Sequence, residues 1–270
     1  MIRLFLAGVV LPLTLLMSSR AAAKQSIHTA QRTVTKTLGY KYLLSVPANP
    51  ADGATRPWPV LLFLHGSGER GNDAWSAAKH GPPKLIASKN LSEQERTTAA
   101  FVAQNFMVIS PQCPKNQWWN PEAVLAVLDE VLETQPADRR RVYLTGLSMG
   151  GYGAWSLSMA HPDRFAAVAP VCGGGEFASA FMSVTHKRRD LHALGVWAFH
   201  GAKDVTVPIS ESERMIDMLQ HMGASKVKLT VYPKAKHDAW TETYANPELY
   251  HWFLQHVRPA PKKSRAVADE

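Results

Sequence analysis

Arg141-Val142-Tyr143-Leu144-Thr145-Gly146-Leu147-Ser148-Met149-Gly150-Gly151 is the stretch on which the reading of this chain turns. Arg141 to Thr145 has the apolar, β-branched and aromatic content of a buried strand, and Gly151 to Met159 has the pattern of a helix. Between them Ser148 sits on a turn, flanked two residues either side by Gly146 and Gly150. A serine hydroxyl is a weak nucleophile in water and gains reactivity only when held exposed beside a base. A strand, a sharp turn carrying the serine and a helix provide that exposure, and flanking glycines let strand and helix approach without side-chain collision. The bland alternative is a glycine-rich turn with an incidental serine. The strand and helix flanks argue against it.

Two later segments supply the partners that such a serine needs. Val196 to Phe199 is a short apolar run suited to a buried parallel strand, and Asp204 follows it after His200-Gly201-Ala202-Lys203. Lys226 to Tyr232 alternates as a strand does, and His237 follows that. Strand ends on one rim would bring Ser148, Asp204 and His237 together, with the imidazole as base and the carboxylate fixing its tautomer. An oxyanion also needs donors, each lowering the barrier by roughly 3 to 4 kcal/mol. One is expected from the N–H of Met149. The other is expected from the loop His65-Gly66-Ser67-Gly68 after the strand 59–64, with Ser67 favoured and Gly66 or Gly68 as alternatives. His65, His161 and His200 read as structural.

Leu61 to Gly71, Ser110-Pro-Gln-Cys-Pro114 before Trp118-Trp119, Gly146 to Gly151, His200 to Asp204 and His237-Asp-Ala-Trp240 together resemble secreted bacterial α/β-hydrolases. Those are described as peptidase-like or phospholipase/carboxylesterase-like, and are similar to dienelactone hydrolases, feruloyl and acetylxylan esterases and polyhydroxyalkanoate depolymerases. The resemblance implies an α/β-hydrolase fold, a triad of Ser148, Asp204 and His237, and an oxyanion hole after His65. It implies no cofactor. One fold with one triad serves many ester and amide chemistries, so the substrate stays open.

The remaining chain fits that architecture. Apolar strand runs alternate with helical patterns, which predicts a mostly parallel eight-stranded sheet with helices on both faces. The strands read are Gln31 to Thr37 and Lys41 to Pro47, hairpin-like, then 59–64, 106–110, 141–146, 166–171, 196–199 and 226–232. Asn120-Pro121-Glu122 opens a helix whose one face is Val124, Leu125, Val127, Leu128, Val131 and Leu132. Residues 1–23 read as a secretory signal peptide ending Ala21-Ala22-Ala23, with an uncleaved anchor as the alternative. Residues 24–258 form the catalytic domain, and 259–270 a disordered tail. The expected location is therefore secreted or periplasmic. Loss of Arg3 and Arg20 with the leader lowers the net charge from +8 to +6. No nucleic-acid motif accompanies this charge, so nucleic acid is rejected as a partner, as is stable membrane insertion.

Two cysteines occur, Cys113 and Cys172. The usual strand order puts the preceding strands about 14 Å apart at ~4.8 Å per spacing, so only inward-curling loops would let them bridge. The sequence leaves that open. Neither H-E-x-x-H nor paired cysteine spacing is present, and no metal is expected. Trp118, Trp119 and Trp240 fall on loops near the triad and are candidates for stacking on a sugar or aromatic acyl group, the alternative being packing beneath those loops. Glu69 and Arg70 either read a polar substrate group or pair across their turn. The expected partner is a small-molecule or polysaccharide-linked ester. A peptidase using the same residues and an inactive carbohydrate- or polymer-binding protein are the rival readings; the oligomeric state is unreadable.

Overall fold

Trp58-Pro-Val-Leu-Leu-Phe-Leu64 has almost no polar atoms outside its backbone, and a strand of that composition must be covered on both faces. A computed structural model describes residues 29, 31, 35–48 and 56–259, with the side chains of 183 and 184 excepted. In chain order the elements are β1 (Tyr42–Ser45), β2 (Trp58–Leu64), α1 (Gly81–Ala87), α2 (Glu93–Asn105), β3 (Met107–Pro111) and α3 (Pro121–Thr134). β4 (Ala137–Leu147), α4 (Met149–Ala160), β5 (Ala167–Val171), α5 (Phe177–His186) and α6 (Arg188–Ala193) follow. The chain ends in β6 (Gly195–Gly201), α7 (Ser210–His221), β7 (Val227–Tyr232), α8 (Trp240–Ala245) and α9 (Pro247–Leu254). All of these belong to the unit Leu38–Glu270. The described residues before it carry no helix or strand.

The sheet runs β1-β3-β2-β4-β5-β6-β7, with every pairing parallel except that of β1 with β3. Seven strands, not eight, are present among the described residues. The expected strand Gln31 to Thr37 falls largely outside the described residues, and its described part is not strand. Its expected hairpin partner is β1, which instead pairs antiparallel with β3, Tyr42 opposite Pro111. Residues 1–23 and 260–270, read as leader and tail, also lie outside the described residues. Among those described, no helix is long and apolar enough to cross a membrane.

The strand pleat divides the core into two clusters. Val60, Leu62, Leu64, Leu144 and Val196 face one way, toward α3, α4 and α7. Leu61, Phe63, Tyr143, Ala169 and Phe199 face the other, toward α1, α2, α8 and α9. α3 starts as its residues dictate, with the Asn120 side chain accepting from the Ala123 amide at 3.2 Å and Pro121 at the first turn. Its apolar stripe, including Val124, Leu128 and Val131, is buried. Parallel connectivity places all the loops after β2 to β7 on one rim, where the site is assembled. Cys113 and Cys172, at the ends of strands separated by β2 and β4, are both free and buried.

Candidate active site

Ser148 lies between β4 and α4 with φ 52° and ψ −116°, a conformation that costs about 1 to 3 kcal/mol and persists only where neighbours enforce it. Its N–H donates to Val171 O at 2.9 Å, and its carbonyl accepts from the Tyr152 amide at 3.0 Å. The flanking glycines are steric requirements. A Cβ on Gly150 would stand 1.9 Å from Leu64 O, and one on Gly146 would stand 2.3 Å from Gly150 O. Strand β2 and helix α4 touch main chain to main chain, and the serine is thrust out at the rim.

β6 ends in Gly201, and the His237 loop crosses directly over it. A Cβ at 201 would meet Lys236 O at 2.1 Å, and Lys203 N–H donates to Ala235 O at 3.0 Å. This crossing brings the three side chains together. His237 Nδ1 lies 2.7 Å from Asp204 Oδ2, and His237 Nε2 lies 2.8 Å from Ser148 Oγ. An ionised carboxylate only accepts, so Nδ1 carries the proton and Nε2 offers its lone pair to the serine hydroxyl. Asp204 Oδ1 accepts from the amides of Thr206 and Val207, each at 2.9 Å. Burial pushes the Asp204 carboxyl up. The bonds from His237, Val207 and Thr206 and the charge of the imidazole outweigh that, holding it below the ordinary aspartate value. Buried His200, placed as structural, fixes this loop: its Nε2 lies 2.9 Å from Val207 O and 3.3 Å from Asp204 Oδ2, and its Nδ1 2.8 Å from Ser212 Oγ. The Asp204 side chain is fully buried whereas that of His237 is 21% exposed, so a substrate reaches the imidazole and not the carboxylate.

The loop after β2 is held by its polar atoms. His65 Nε2 accepts from the Cys113 amide at 3.0 Å, so Nδ1 carries the ring proton and donates to Gly66 O at 2.7 Å. Burial lowers the His65 pKa and keeps that ring neutral. In a trans peptide the N–H points opposite the preceding carbonyl. With Gly66 O taken by His65, the Ser67 N–H is directed the other way. Arg70 donates to Ser67 O at 3.0 Å and to Gln117 O at 3.2 Å, and Gln112 donates to Glu69 O at 2.7 Å. Met149 opens α4, so its N–H has no acceptor within the helix.

The three tryptophans part company. Trp118 is 66% exposed and meets the Tyr152 ring edge-on at 6.4 Å, one helical turn past Ser148. Trp119, expected beside it as a substrate contact, is only 9% exposed. It belongs to the core, with its Nε1 donating to His65 O at 3.1 Å and its ring against His65 and Tyr40. Trp240 is half-buried against His237, ring centroids 5.3 Å apart. Glu69 and Arg70 do not pair with each other: Arg70 binds carbonyls, and Glu69 faces Lys79 and His80. Tyr152 and His80 were not marked by any pattern in the sequence, because each earns its place through contacts between distant loops. The one group of metal-capable side chains among the described residues is Cys172, Asp204 and His237, with ligand atoms within 4.8 Å of one another. The imidazole nitrogens of that group are already engaged by Asp204 and Ser148.

The dienelactone hydrolase family matches residues 92–258. The chain is 24% identical over 235 residues to a poly(3-hydroxyoctanoate) depolymerase of Pseudomonas fluorescens, covering 80% of this chain and 78% of that protein. It is 27% identical over 138 residues to poly(3-hydroxyalkanoate) depolymerase C of Paucimonas lemoignei, covering 44% of this chain and 33% of that one. The crystal structure of a thermostable esterase superposes with a TM-score of 0.65 at 32% identity, covering 80% of this chain and 59% of that one.

Proposed function

Because this chain belongs to the dienelactone hydrolase family, we propose that it hydrolyses carboxylic esters through an acyl-enzyme on Ser148. The unbroken hydrogen-bond chain from Ser148 Oγ through His237 to Asp204 carries the reading. Ser148 Oγ attacks the ester carbonyl as His237 Nε2 takes its proton, and the carbonyl oxygen gains the negative charge. The N–H groups of Ser67 and Met149 receive that oxyanion. Collapse expels the alcohol, which takes the proton from His237. Water then repeats the sequence, with His237 again as base, to release the acid and restore the serine. Asp204 stays ionised throughout, holding Nδ1–H and balancing the imidazolium.

Esters are favoured over amides because two relatives are named as poly(3-hydroxyoctanoate) and poly(3-hydroxyalkanoate) depolymerases, whose polymers are polyesters. The exposed Trp118, edge-on to Tyr152 on the helix that Ser148 precedes, offers an apolar indole face that suits an aromatic acyl group or a sugar bearing the ester. Trp240 stands edge-on to the imidazole of His237. The leader-like first 23 residues support release to the periplasm or the medium. A fluorophosphonate should label wild-type protein at Ser148, and Ser148→Ala should lose both the label and ester turnover. Retention of the label in that variant, or rapid cleavage of peptide amides with negligible turnover of p-nitrophenyl acetate and methyl ferulate, overturns the proposal.

A further inference from the structure

A row of side chains outside the triad joins the oxyanion loop to the general base. At one end, the Glu69 carboxylate is folded back over the loop: a Cβ on Gly66 would stand 3.1 Å from its Oε2. Its Oε1 faces His80 Nε2 at 3.7 Å and Lys79 Nζ at 3.8 Å. The Lys79 side chain is 65% exposed and screened by water, while that of His80 is 29% exposed. The His80 ring packs on Trp240, centroids 5.5 Å apart, and Trp240 stands across the His237 ring at 5.3 Å and 87°. The main chain after His80 is closely packed. It is followed by Gly81 at φ 68°, where a Cβ would stand 2.4 Å from the Phe63 ring, and by Pro82 and Pro83 at the start of α1.

This row answers a mechanical need. The second side-chain torsion of histidine is broad, so the bonds to Asp204 and Ser148 still leave the imidazole free to rock about the line that joins them. An aromatic ring standing edge-on to it restricts that rocking, and a misplacement of about 1 Å in such a site lowers turnover by roughly 100-fold. We propose that Glu69 and His80 are positioning residues that, through Trp240, set the orientation of His237 relative to the oxyanion amides. The inference rests on the triad reading given above, and neither residue touches the reacting atoms.

Two measurements test it. In steady-state ester hydrolysis normalised by fluorophosphonate titration of active sites, Glu69→Gln and His80→Ala should each lower kcat about 10-fold with KM within about 2-fold. Adding Glu69→Gln to His80→Ala should lower it little further, because both act through one path, and His80→Gln should recover part of the loss. Independently of turnover, the Nδ1–H resonance of His237 in Ser148→Ala protein should shift or broaden when His80→Ala is added. Losses that multiply in the double variant, or a kcat and a His237 resonance indifferent to His80→Ala, overturn the inference. If His80→Ala does not fold, His80→Gln and Trp240→Phe take its place in both measurements. If Ser148 proves not to be the nucleophile, the resonance still decides whether the row orients His237, so the two failures are told apart.

Discussion

Trp118 and Trp119 are adjacent in the chain and built into opposite regimes. Trp119 turns inward, ties its indole to His65 O and closes the core behind the loop after β2. Trp118 turns outward with two-thirds of its surface in water. The contrast extends to their surroundings. Around Trp119, the loops after β2 and β3 exchange bonds from Gln112, Cys113 and Arg70, so the amides that would meet an oxyanion are fixed in place. Around Trp118, the contact is one edge-on meeting with Tyr152. The molecule spends its buried polar bonds on the parts that must not move. It leaves the surface around Trp118, which the proposed function assigns to the substrate, to solvent-exposed aromatic rings.

The anchored side should be the more costly to disturb. Asp204→Asn keeps the shape of the site but favours the wrong imidazole tautomer, so kcat should fall about 10⁴-fold with an unchanged circular dichroism spectrum. A loss of only a few-fold would mean that the carboxylate does not orient the base. Trp119→Ala opens a core void and frees the oxyanion loop, with a stability loss of about 3 to 5 kcal/mol in denaturant titration. Trp118→Ala should leave stability and p-nitrophenyl acetate turnover almost unchanged while raising KM for aromatic esters roughly 3- to 10-fold. Equal effects of the two substitutions would erase the distinction.

The smallest test uses pH. The Asp204 carboxyl is held below its ordinary value in the folded chain, so its stabilising contribution is complete above the unfolded aspartate pKa of about 3.9 and is lost as pH falls through the lower folded value. Wild type and Asp204→Asn should therefore differ by a constant Tm gap from neutral pH down to about pH 4. The gap should narrow only below that; a gap that closes already near neutral pH would contradict the assigned direction.

The middle of the sheet was legible because β2, β3, β5 and β6 are apolar on both faces. The expected runs 59–64, 106–110 and 166–171 match β2, β3 and β5 to within a residue at either end. β4 begins at Ala137, four residues before its expected start, because Ala137 to Arg141 is polar or half-exposed and takes its strand form from Trp58, which pairs with Ala137. The meeting of Ser148, Asp204 and His237 was legible for a related reason: each follows a readable strand, and parallel topology gathers strand ends on one rim. Burial of loop side chains was not. Nothing in Gln117-Trp118-Trp119-Asn120 says which indole turns inward, since the answer lies in His65 and Tyr40, more than fifty residues earlier. The row from Glu69 to His237 was hidden likewise, being a meeting of three loops. Cys172 at φ 40° carries no local signature either.

The direct main-chain contact between Leu64 and Gly150 has a further consequence. The spacing between the Ser148 turn and the end of β2 is set by peptide units resting on each other, so it does not depend on which side chains line the surrounding walls. On the reading proposed above, those walls can be rebuilt for a bulkier, longer or more polar substrate without retuning the attack itself. A protein assembled this way is a tolerant starting point for altered selectivity.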